Sequence, residues 1–217
     1  MVDEVDVEKM FKILEKYLRE RSMIQKFLDE KFNPFQILVA TILSARTKDE
    51  QSEKISRKLF QKIKKPEDLL KFTEDEIIME IYPIGFYRTK AKNLLKLAKI
   101  LTEKYNGNVP EKMEELLELP GVGRKTANCV LVYGFNIPAI PVDVHVHVIS
   151  NRLGLVKTKT PEETEIELMK IIPKKHWTKL NWLFVEHGKK VCKAKPKCEA
   201  CKIRRYCMYF KNHQKKF

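Results

Sequence analysis

The sequence predicts an all-α protein. Apolar residues recur three and four positions apart along most of the chain, which is the spacing of one face of a helix. Strand-like alternation of apolar and polar residues is scarce, and the chain has only 7 glycines in 217 residues. This length is ample for one or two compact domains with a real hydrophobic core.

The first half of the chain reads as a series of short helices. Val7 to Leu28 has largely helical spacing, and Asn33-Pro34 breaks it. Phe35 to Ala45 is nearly all apolar, which predicts a buried helix. Asp49 is the expected N-cap of the next helix. That helix and two shorter ones are expected over 50–63, 66–70 and 73–81.

The second half continues the pattern. Thr89 to Tyr105 has an apolar stripe, with its lysines expected outside the stripe, and Asn106-Gly107-Asn108 ends the helix. Leu119 to Gly123 is expected to form a tight turn, and a cysteine-rich tail ends the chain. The remaining helices are expected over 111–118, 124–133, 143–153, 161–171 and 176–190.

The charge points to a polyanionic partner. Lysine and arginine number 43 against 29 acidic residues, a formal net charge of +14. Such an excess is typical of nucleic-acid-binding proteins, although solubility or a lysine-rich host proteome also produces it. No apolar run reaches the roughly 18 residues that span a bilayer. The first ten residues have no signal-peptide character, so we expect no membrane association and an intracellular location.

The segment from Leu119 to Ala127 reads Leu-Pro-Gly-Val-Gly-Arg-Lys-Thr-Ala. Glycine lets the backbone approach a ligand closely, and N–H groups at a helix N-terminus suit a phosphate. Gly121, Gly123 and the adjacent Arg124 are therefore candidate contacts to the DNA backbone, which would be made on DNA of any sequence. A simple turn between two helices is the alternative.

Lys125 follows this turn in the predicted first turn of a helix. The positive end of the helix and partial burial would both lower its pKa and favour the neutral amine, which can form a Schiff base. A solvated or phosphate-binding lysine is the alternative. Asp143, 18 residues further on, stands at the start of another predicted helix. It is an expected N-cap, and its carboxylate also suits stabilising a cationic sugar and activating the amine.

Four cysteines close to the C-terminus predict a metal site. Cys192, Cys198, Cys201 and Cys207 are separated by five, two and five residues. In a reducing compartment such a cluster indicates metal rather than disulfides. Zinc and an iron–sulfur cluster are the two candidates, and zinc ribbons usually have two Cys-x2-Cys pairs where this chain has one. Cys129 is expected to be a buried packing residue.

Together these segments resemble the endonuclease III family of helix-hairpin-helix DNA glycosylases. The resemblance runs from about Phe32 to Cys207. The blocks that carry it are Phe32 to Phe35, Leu43 to Ala45, Gly85 to Tyr87, Leu119 to Asn128, Val142 to His145, Asn151-Arg152 and the terminal cysteines.

The resemblance implies a two-domain fold. A helical barrel domain over 28–137 contains the hairpin, and residues 1–27 and 138–217 form the iron–sulfur cluster domain. The four cysteines are then ligands of a [4Fe–4S] cluster, although the first spacer is one residue shorter than in the family. The implied partner is double-stranded DNA with a damaged base or abasic site, bound by a monomer.

The resemblance also implies a mechanism. The damaged nucleotide is flipped into a pocket between the two domains. Lys125 attacks C1′ of an oxidised pyrimidine nucleotide, and β-elimination then cuts the strand, with Asp143 assisting. His145 matches a pocket histidine and is counted among the expected DNA-binding residues, with a supporting or packing role favoured over proton transfer. The alternatives are a monofunctional mismatch or adenine glycosylase, whose members generally lack this lysine, and a non-catalytic DNA-binding module.

Two further residues match positions that act in base flipping. Phe86 corresponds to a side chain that wedges into the base stack, where core packing is the alternative. Arg46 stands where the family usually has glutamine, and it is expected to fill the gap left by the flipped base. Guanine is the base that an arginine contacts most naturally. A phosphate contact or a simple surface charge is the alternative for Arg46.

Overall fold

A computed structural model describes residues 4–18 and 23–214 and confirms the all-α prediction. No strand occurs among these residues. The helices, in chain order, are α1 (Glu4–Tyr17), α2 (Met23–Asp29), α3 (Pro34–Ser44), α4 (Asp49–Phe60), α5 (Pro66–Leu69), α6 (Glu74–Ile81), α7 (Tyr87–Tyr105), α8 (Met113–Leu117), α9 (Arg124–Phe135), α10 (Val144–Leu153), α11 (Pro161–Ile171), α12 (Trp177–Lys190) and α13 (Met208–Gln214). Single 3-10 turns lie at Lys174–His176, Cys198–Ala200 and Arg204–Tyr206. Over the same residues, no helix combines the length and apolar character needed to cross a membrane.

The chain divides into two compact units, which are joined near residue 137. Among the described residues, 23–137 form one unit, and 4–18 with 138–214 form the other. The sequence places the first boundary at 28, whereas α2 groups with the helices that follow it. Phe27 of α2 explains the difference, because its ring lies 4.7 Å from that of Phe32 and 5.9 Å from that of Phe60, centroid to centroid.

Helix α3 lies at the centre of the 23–137 unit and packs against α4 and α9. Its residues from Phe35 to Leu43 are all buried, as their nearly unbroken apolar sequence predicts. Asn33 begins the helix through a capping box: its Oδ1 accepts the Gln36 N–H at 2.9 Å, and its own N–H donates to Gln36 Oε1 at 3.2 Å. These contacts give hydrogen-bond partners to N–H groups at the start of the helix, which would otherwise be buried without a partner.

The second unit has its own apolar core. Helix α1 contributes one stripe at helical spacing, which packs with stripes from α10 and α12. Because these helices are apolar on one face only, each buries that face against the others. The stripes are Val7, Met10, Phe11 and Leu14; Val146, Ile149 and Leu153; and Leu180, Leu183 and Phe184.

The structure corrects three details of the sequence prediction. The helical pattern over 7–28 is not one helix, since α1 ends at Tyr17 and α2 begins at Met23, with residues 19–22 outside the described part. The N-cap of α4 is Lys48, and Asp49 is the first helical residue, where its charge still lies at the positive end of the helix. Lys90 is buried inside the stripe of α7, although its lysines were all expected outside.

Candidate active site and DNA-contacting loops

The predicted turn connects α8 to α9. Gly121 has φ +81°, a left-handed conformation that only glycine adopts without strain. A Cβ added there would also lie 3.2 Å from the amide nitrogen of Asn93. Gly123 is the N-cap of α9 in an extended conformation, and nothing lies within 4 Å of where its Cβ would be. The backbone at Gly123 is therefore open to close approach from outside.

Lys125 is the second residue of α9 and is half-buried, so the predicted position in the first turn is confirmed. Arg124 before it is exposed. The rest of α9 is anchored, because every residue from Ala127 to Tyr133 is buried and the helix packs on α3. Cys129 belongs to this buried face, as expected. Lys125 thus stands at the accessible end of a helix that the core holds firmly.

Asp143 belongs to the other unit and is the N-cap of α10, as predicted. Its Oδ1 accepts the Val146 N–H at 2.9 Å, which fixes the direction of the carboxylate. His145, two residues later, packs directly against Gly188 of α12, and a Cβ at position 188 would collide with its ring. The His145 ring therefore packs against the backbone of α12.

Arg46 and Phe86 come together at the surface of the 23–137 unit. Arg46 follows α3, Phe86 immediately precedes α7, and both are exposed. The Arg46 guanidinium lies over the Phe86 ring, with its Cζ 5.3 Å from the ring centroid. Both residues have left-handed backbones, with φ +54° and +59°. This conformation costs a non-glycine residue about 1–2 kcal/mol, so the surrounding contacts must hold both loops in it.

Lys90 lies beneath these two loops, at a place that was not predicted for it from the sequence. Its side chain is buried, and its Nζ donates to Leu43 O at 2.9 Å and Ala45 O at 2.6 Å. Burial lowers the pKa of Lys90 to about 8. The spacing of the sequence does indicate that Lys90 is buried, because it precedes Leu94, Leu97 and Leu101 at the intervals of one helix face. A lysine within such a stripe must find polar partners inside the protein.

The four C-terminal cysteines line one cavity, together with apolar side chains that include Ile149 and Phe210. All of them are free thiols. The pKa of the Cys201 thiol is raised to about 11, chiefly by burial, with smaller contributions from the nearby sulfurs of Cys207, Cys192 and Cys198. Partial burial disfavours the charged thiolate form, and a bound metal would balance that charge.

Two side chains contact these sulfurs from neighbouring helices. Arg152 of α10 donates to Cys192 Sγ at 3.3 Å and also to the carbonyl oxygens of Lys193 at 2.7 Å and Ala194 at 3.1 Å. His187 of α12 places its Nε2 3.6 Å from Cys201 Sγ. The cysteine loop is thus tied to α10 and α12.

The donor set suits a thiolate-bound group. Four reduced cysteines that line one cavity match the ligands of iron–sulfur clusters. Within residues 4–18 and 23–214, no three His, Cys, Asp or Glu side chains converge as ligands of one metal ion.

Three comparisons relate this chain to known proteins. The sequence profile of the HhH-GPD superfamily of base excision DNA repair proteins matches residues 39–174. Endonuclease III of Thermotoga maritima is 46% identical over 198 residues, which are 90% of this chain and 93% of the relative. Endonuclease III of Bacillus subtilis is 42% identical over 186 residues, 85% of each chain.

A solved structure agrees in fold along the whole chain. It is a trapped endonuclease III–DNA covalent intermediate, an estranged-adenine complex. It superposes with a TM-score of 0.82 at 36% identity and covers 99% of this chain and 100% of its own. The match to the superfamily profile and the identity to these relatives extend over most of the sequence. The chain therefore belongs to the HhH-GPD superfamily of base excision DNA repair proteins and, within it, to the endonuclease III family.

Proposed function

We propose that this protein removes oxidised pyrimidines from double-stranded DNA and cuts the strand through a Schiff base on Lys125. Its class is that of the endonuclease III enzymes, bifunctional DNA glycosylases with AP lyase activity. The observation that carries the assignment is the half-buried Lys125 in the first turn of α9, directly after the glycine turn. The relative that was trapped as a covalent intermediate with DNA supports covalent chemistry in this family.

The chemistry assigned to Lys125 is nucleophilic catalysis. Its neutral amine attacks C1′ of the deoxyribose, and the base leaves with the bonding electron pair and takes up a proton. The sugar ring opens to a protonated Schiff base. Loss of a C2′ proton then expels the 3′ phosphate by β-elimination. Asp143 is assigned to stabilise the positive charge that develops on the sugar and to accept the ammonium proton that makes the amine nucleophilic.

The glycine turn is assigned to the DNA backbone. A phosphate can approach Gly123 closely because no side chain occupies the space there, and α9 begins at this residue. Arg124 is exposed beside it and adds positive charge. Such contacts read no base and fix the register of the duplex.

Arg46 and Phe86 are assigned to base flipping. An exposed aromatic wedge offsets part of the unstacking energy, about a few kcal/mol per base step. The guanidinium of Arg46 lies next to the wedge and presents donors suited to O6 and N7 of guanine. We therefore assign Arg46 to the gap left by the flipped base, with guanine as the preferred opposing base.

Cys192, Cys198, Cys201 and Cys207 are assigned as ligands of a [4Fe–4S] cluster. When bound, the cluster would fasten the loop from Cys192 to Cys207. That loop then presents basic side chains toward phosphates. The exposed basic residues of the loop are Lys193, Lys195, Lys197, Lys202, Arg204 and Arg205.

We further assign the protein to the interior of the cell, acting as a monomer. Reduced cysteines and a DNA substrate support the location. One chain carries Lys125, Asp143 and the cysteines, so no second copy is needed to supply a missing group.

Borohydride trapping tests the role of Lys125. Wild-type protein, incubated with duplex DNA that contains thymine glycol, should form a covalent adduct when the Schiff base is reduced. Lys125→Gln should form none, because an amide cannot make the imine. Lys99→Gln, which changes an exposed lysine on α7, is the control and should trap like wild type. Trapping by Lys125→Gln at the wild-type level would refute the assignment, and base release without any adduct would indicate a monofunctional enzyme.

Two substitutions separate the structural and chemical roles of Asp143. Asn is as good an N-cap as Asp, so Asp143→Asn should keep the wild-type unfolding free energy, whereas Asp143→Ala should lose about 1 kcal/mol. Both should lower the trapping rate by about 10²-fold, because both remove the charge. Urea unfolding and single-turnover trapping measure the two effects. A wild-type rate in Asp143→Asn would show that the charge is dispensable.

The two glycines of the turn provide a matched pair. Gly121→Ala should lower the unfolding free energy by about 1 kcal/mol or more, because its φ is positive. Gly123→Ala should change it by no more than about 0.5 kcal/mol, since nothing surrounds the new methyl group. Gly123→Ala should nevertheless bind undamaged duplex more weakly, because the methyl keeps the phosphate away. Wild-type affinity in Gly123→Ala would contradict the proposed contact.

Metal analysis tests the cysteine assignment. Purified protein should contain iron and acid-labile sulfide in equal amounts, with the broad visible absorbance of an iron–sulfur cluster. Cys198→Ala should lose both, while Cys129→Ala, in which the buried thiol of α9 is replaced, should keep them. Zinc without sulfide in the wild-type protein would contradict the cluster and favour a zinc site.

A further inference from the structure

The loops that carry Arg46 and Phe86 are joined to each other from below. The Gly85 N–H donates to Thr47 Oγ1 at 3.2 Å, which links the loop before α7 to the loop after α3. The two backbones also touch, since a Cβ at Gly85 would lie 2.5 Å from Arg46 O. Only a glycine at position 85 lets them approach so closely. The Arg46 guanidinium then lies over the Phe86 ring.

Lys90 is the buried side chain that reaches across this junction. Helix α7 begins directly after Phe86, and Lys90 lies in its first turn. The Lys90 backbone N–H donates to Phe86 O at 3.0 Å. Its Nζ reaches back to α3, where it donates to Leu43 O and Ala45 O, and at 3.5 Å it also meets Thr47 Oγ1. The Lys90 ammonium group therefore binds two carbonyl oxygens at the end of α3. Leu43 O precedes the last residue of the helix, and Ala45 O follows it, directly before Arg46.

This bond pattern has a physical reason. The last carbonyl groups of a helix have no partner within the helix, and α3 is buried, so water is not available to Leu43 O. A hydrogen bond with a charged donor is stronger than one between neutral groups and holds its acceptors in a narrower range of geometry. Arg46 and Phe86 each have an unfavourable left-handed backbone, which such contacts keep in place.

We propose that Lys90 is a positioning residue for base flipping, whose buried ammonium holds the Arg46 and Phe86 loops together so that both side chains meet the duplex as one preformed element. The proposal rests on the function proposed above. It concerns the opening of the base stack and not the chemistry at C1′. Lys90 is assigned no contact with the DNA or with the reacting atoms. Its loss should therefore impair flipping while leaving Schiff-base formation intact.

Two substrates separate these steps. A duplex with thymine glycol requires the base to leave the stack, whereas an abasic site in a short single strand does not. Lys90→Met removes the ammonium and keeps an unbranched side chain of similar length. It should lower single-turnover trapping on the duplex by about tenfold to 10²-fold, as expected when a reacting group is misplaced by a distant change. On the abasic single strand it should trap at the wild-type rate.

Four further measurements complete the experiment. Lys92→Met, which changes an exposed lysine two residues along the same helix, should trap like wild type on both substrates. Lys90→Arg keeps a charged donor and should recover part of the duplex rate. Thr47→Val removes the hydroxyl between the two loops and keeps the shape of the side chain. It should lower the duplex rate relative to the single-strand rate, as Lys90→Met does. A 2-aminopurine placed beside the lesion should show unstacking with wild type and little with Lys90→Met.

Each outcome bears on one proposal or the other. Absence of trapping by wild type on both substrates would refute the proposed function and, with it, the role assigned to Lys90. Wild-type trapping with an unchanged rate ratio in Lys90→Met would overturn the positioning role, as would an equal loss on both substrates. If Lys90→Met does not fold, Thr47→Val decides: an unchanged ratio of its two rates would overturn the proposal, and a selective loss on the duplex would support it.

Discussion

Helix α3 is buried on all its faces, and the arrangement of the 23–137 unit depends on that burial. A helix surrounded by protein must obtain every hydrogen bond at its ends from protein groups. At the start, Asn33 and Gln36 cap each other, and the Asn33 amide also donates to Lys64 O at 2.8 Å. At the other end, Lys90 supplies the donor that Leu43 O needs. The hydrogen bonds required at the two ends of α3 thus determine where the two segments that supply them lie.

The side chains of this unit to which we assign roles in DNA binding and catalysis occur at the ends of helices that the core anchors. Arg46 follows α3, Phe86 precedes α7, and Lys125 begins α9. A helix that packs firmly along its length gives its first and last residues a defined position while leaving them accessible. This placement suits groups that must act on a large substrate, because little further ordering is needed when the substrate binds.

The backbone strain at Arg46 and Phe86 fits this view. Two non-glycine residues with positive φ cost about 1–2 kcal/mol each, which is a noticeable fraction of the stability of a small domain. The contacts around Thr47, Gly85 and Lys90 offset that cost. The exposed side chains of Arg46 and Phe86 are thereby held in contact with each other without DNA. Because the two loops are already ordered, less of the binding free energy is needed to order them, and more of it can offset the unstacking of a base.

Local and periodic features of the fold could be predicted from the sequence. The apolar spacing identified the helices, the unbroken apolar run identified α3 as buried, and the cysteine spacing indicated a metal site. Glycine at 121 and Asp143 as an N-cap also follow from local backbone requirements, and the structure has both as expected. The resemblance to endonuclease III, which rested on these same blocks, is confirmed by the comparisons. Local rules sufficed here because each of these features involves residues close in the chain.

Features that depend on residues far apart in sequence emerge only when the helices pack. Periodicity alone could not say that Lys90 bonds to carbonyl oxygens 45 and 47 positions earlier, and the same lysine at the surface would have had an ordinary role. The grouping of α2 with the 23–137 unit likewise depends on Phe27 meeting Phe60, which α3 brings together across the fold. A buried charge is defined by the partners that surround it, and those partners exist only once the helices have packed.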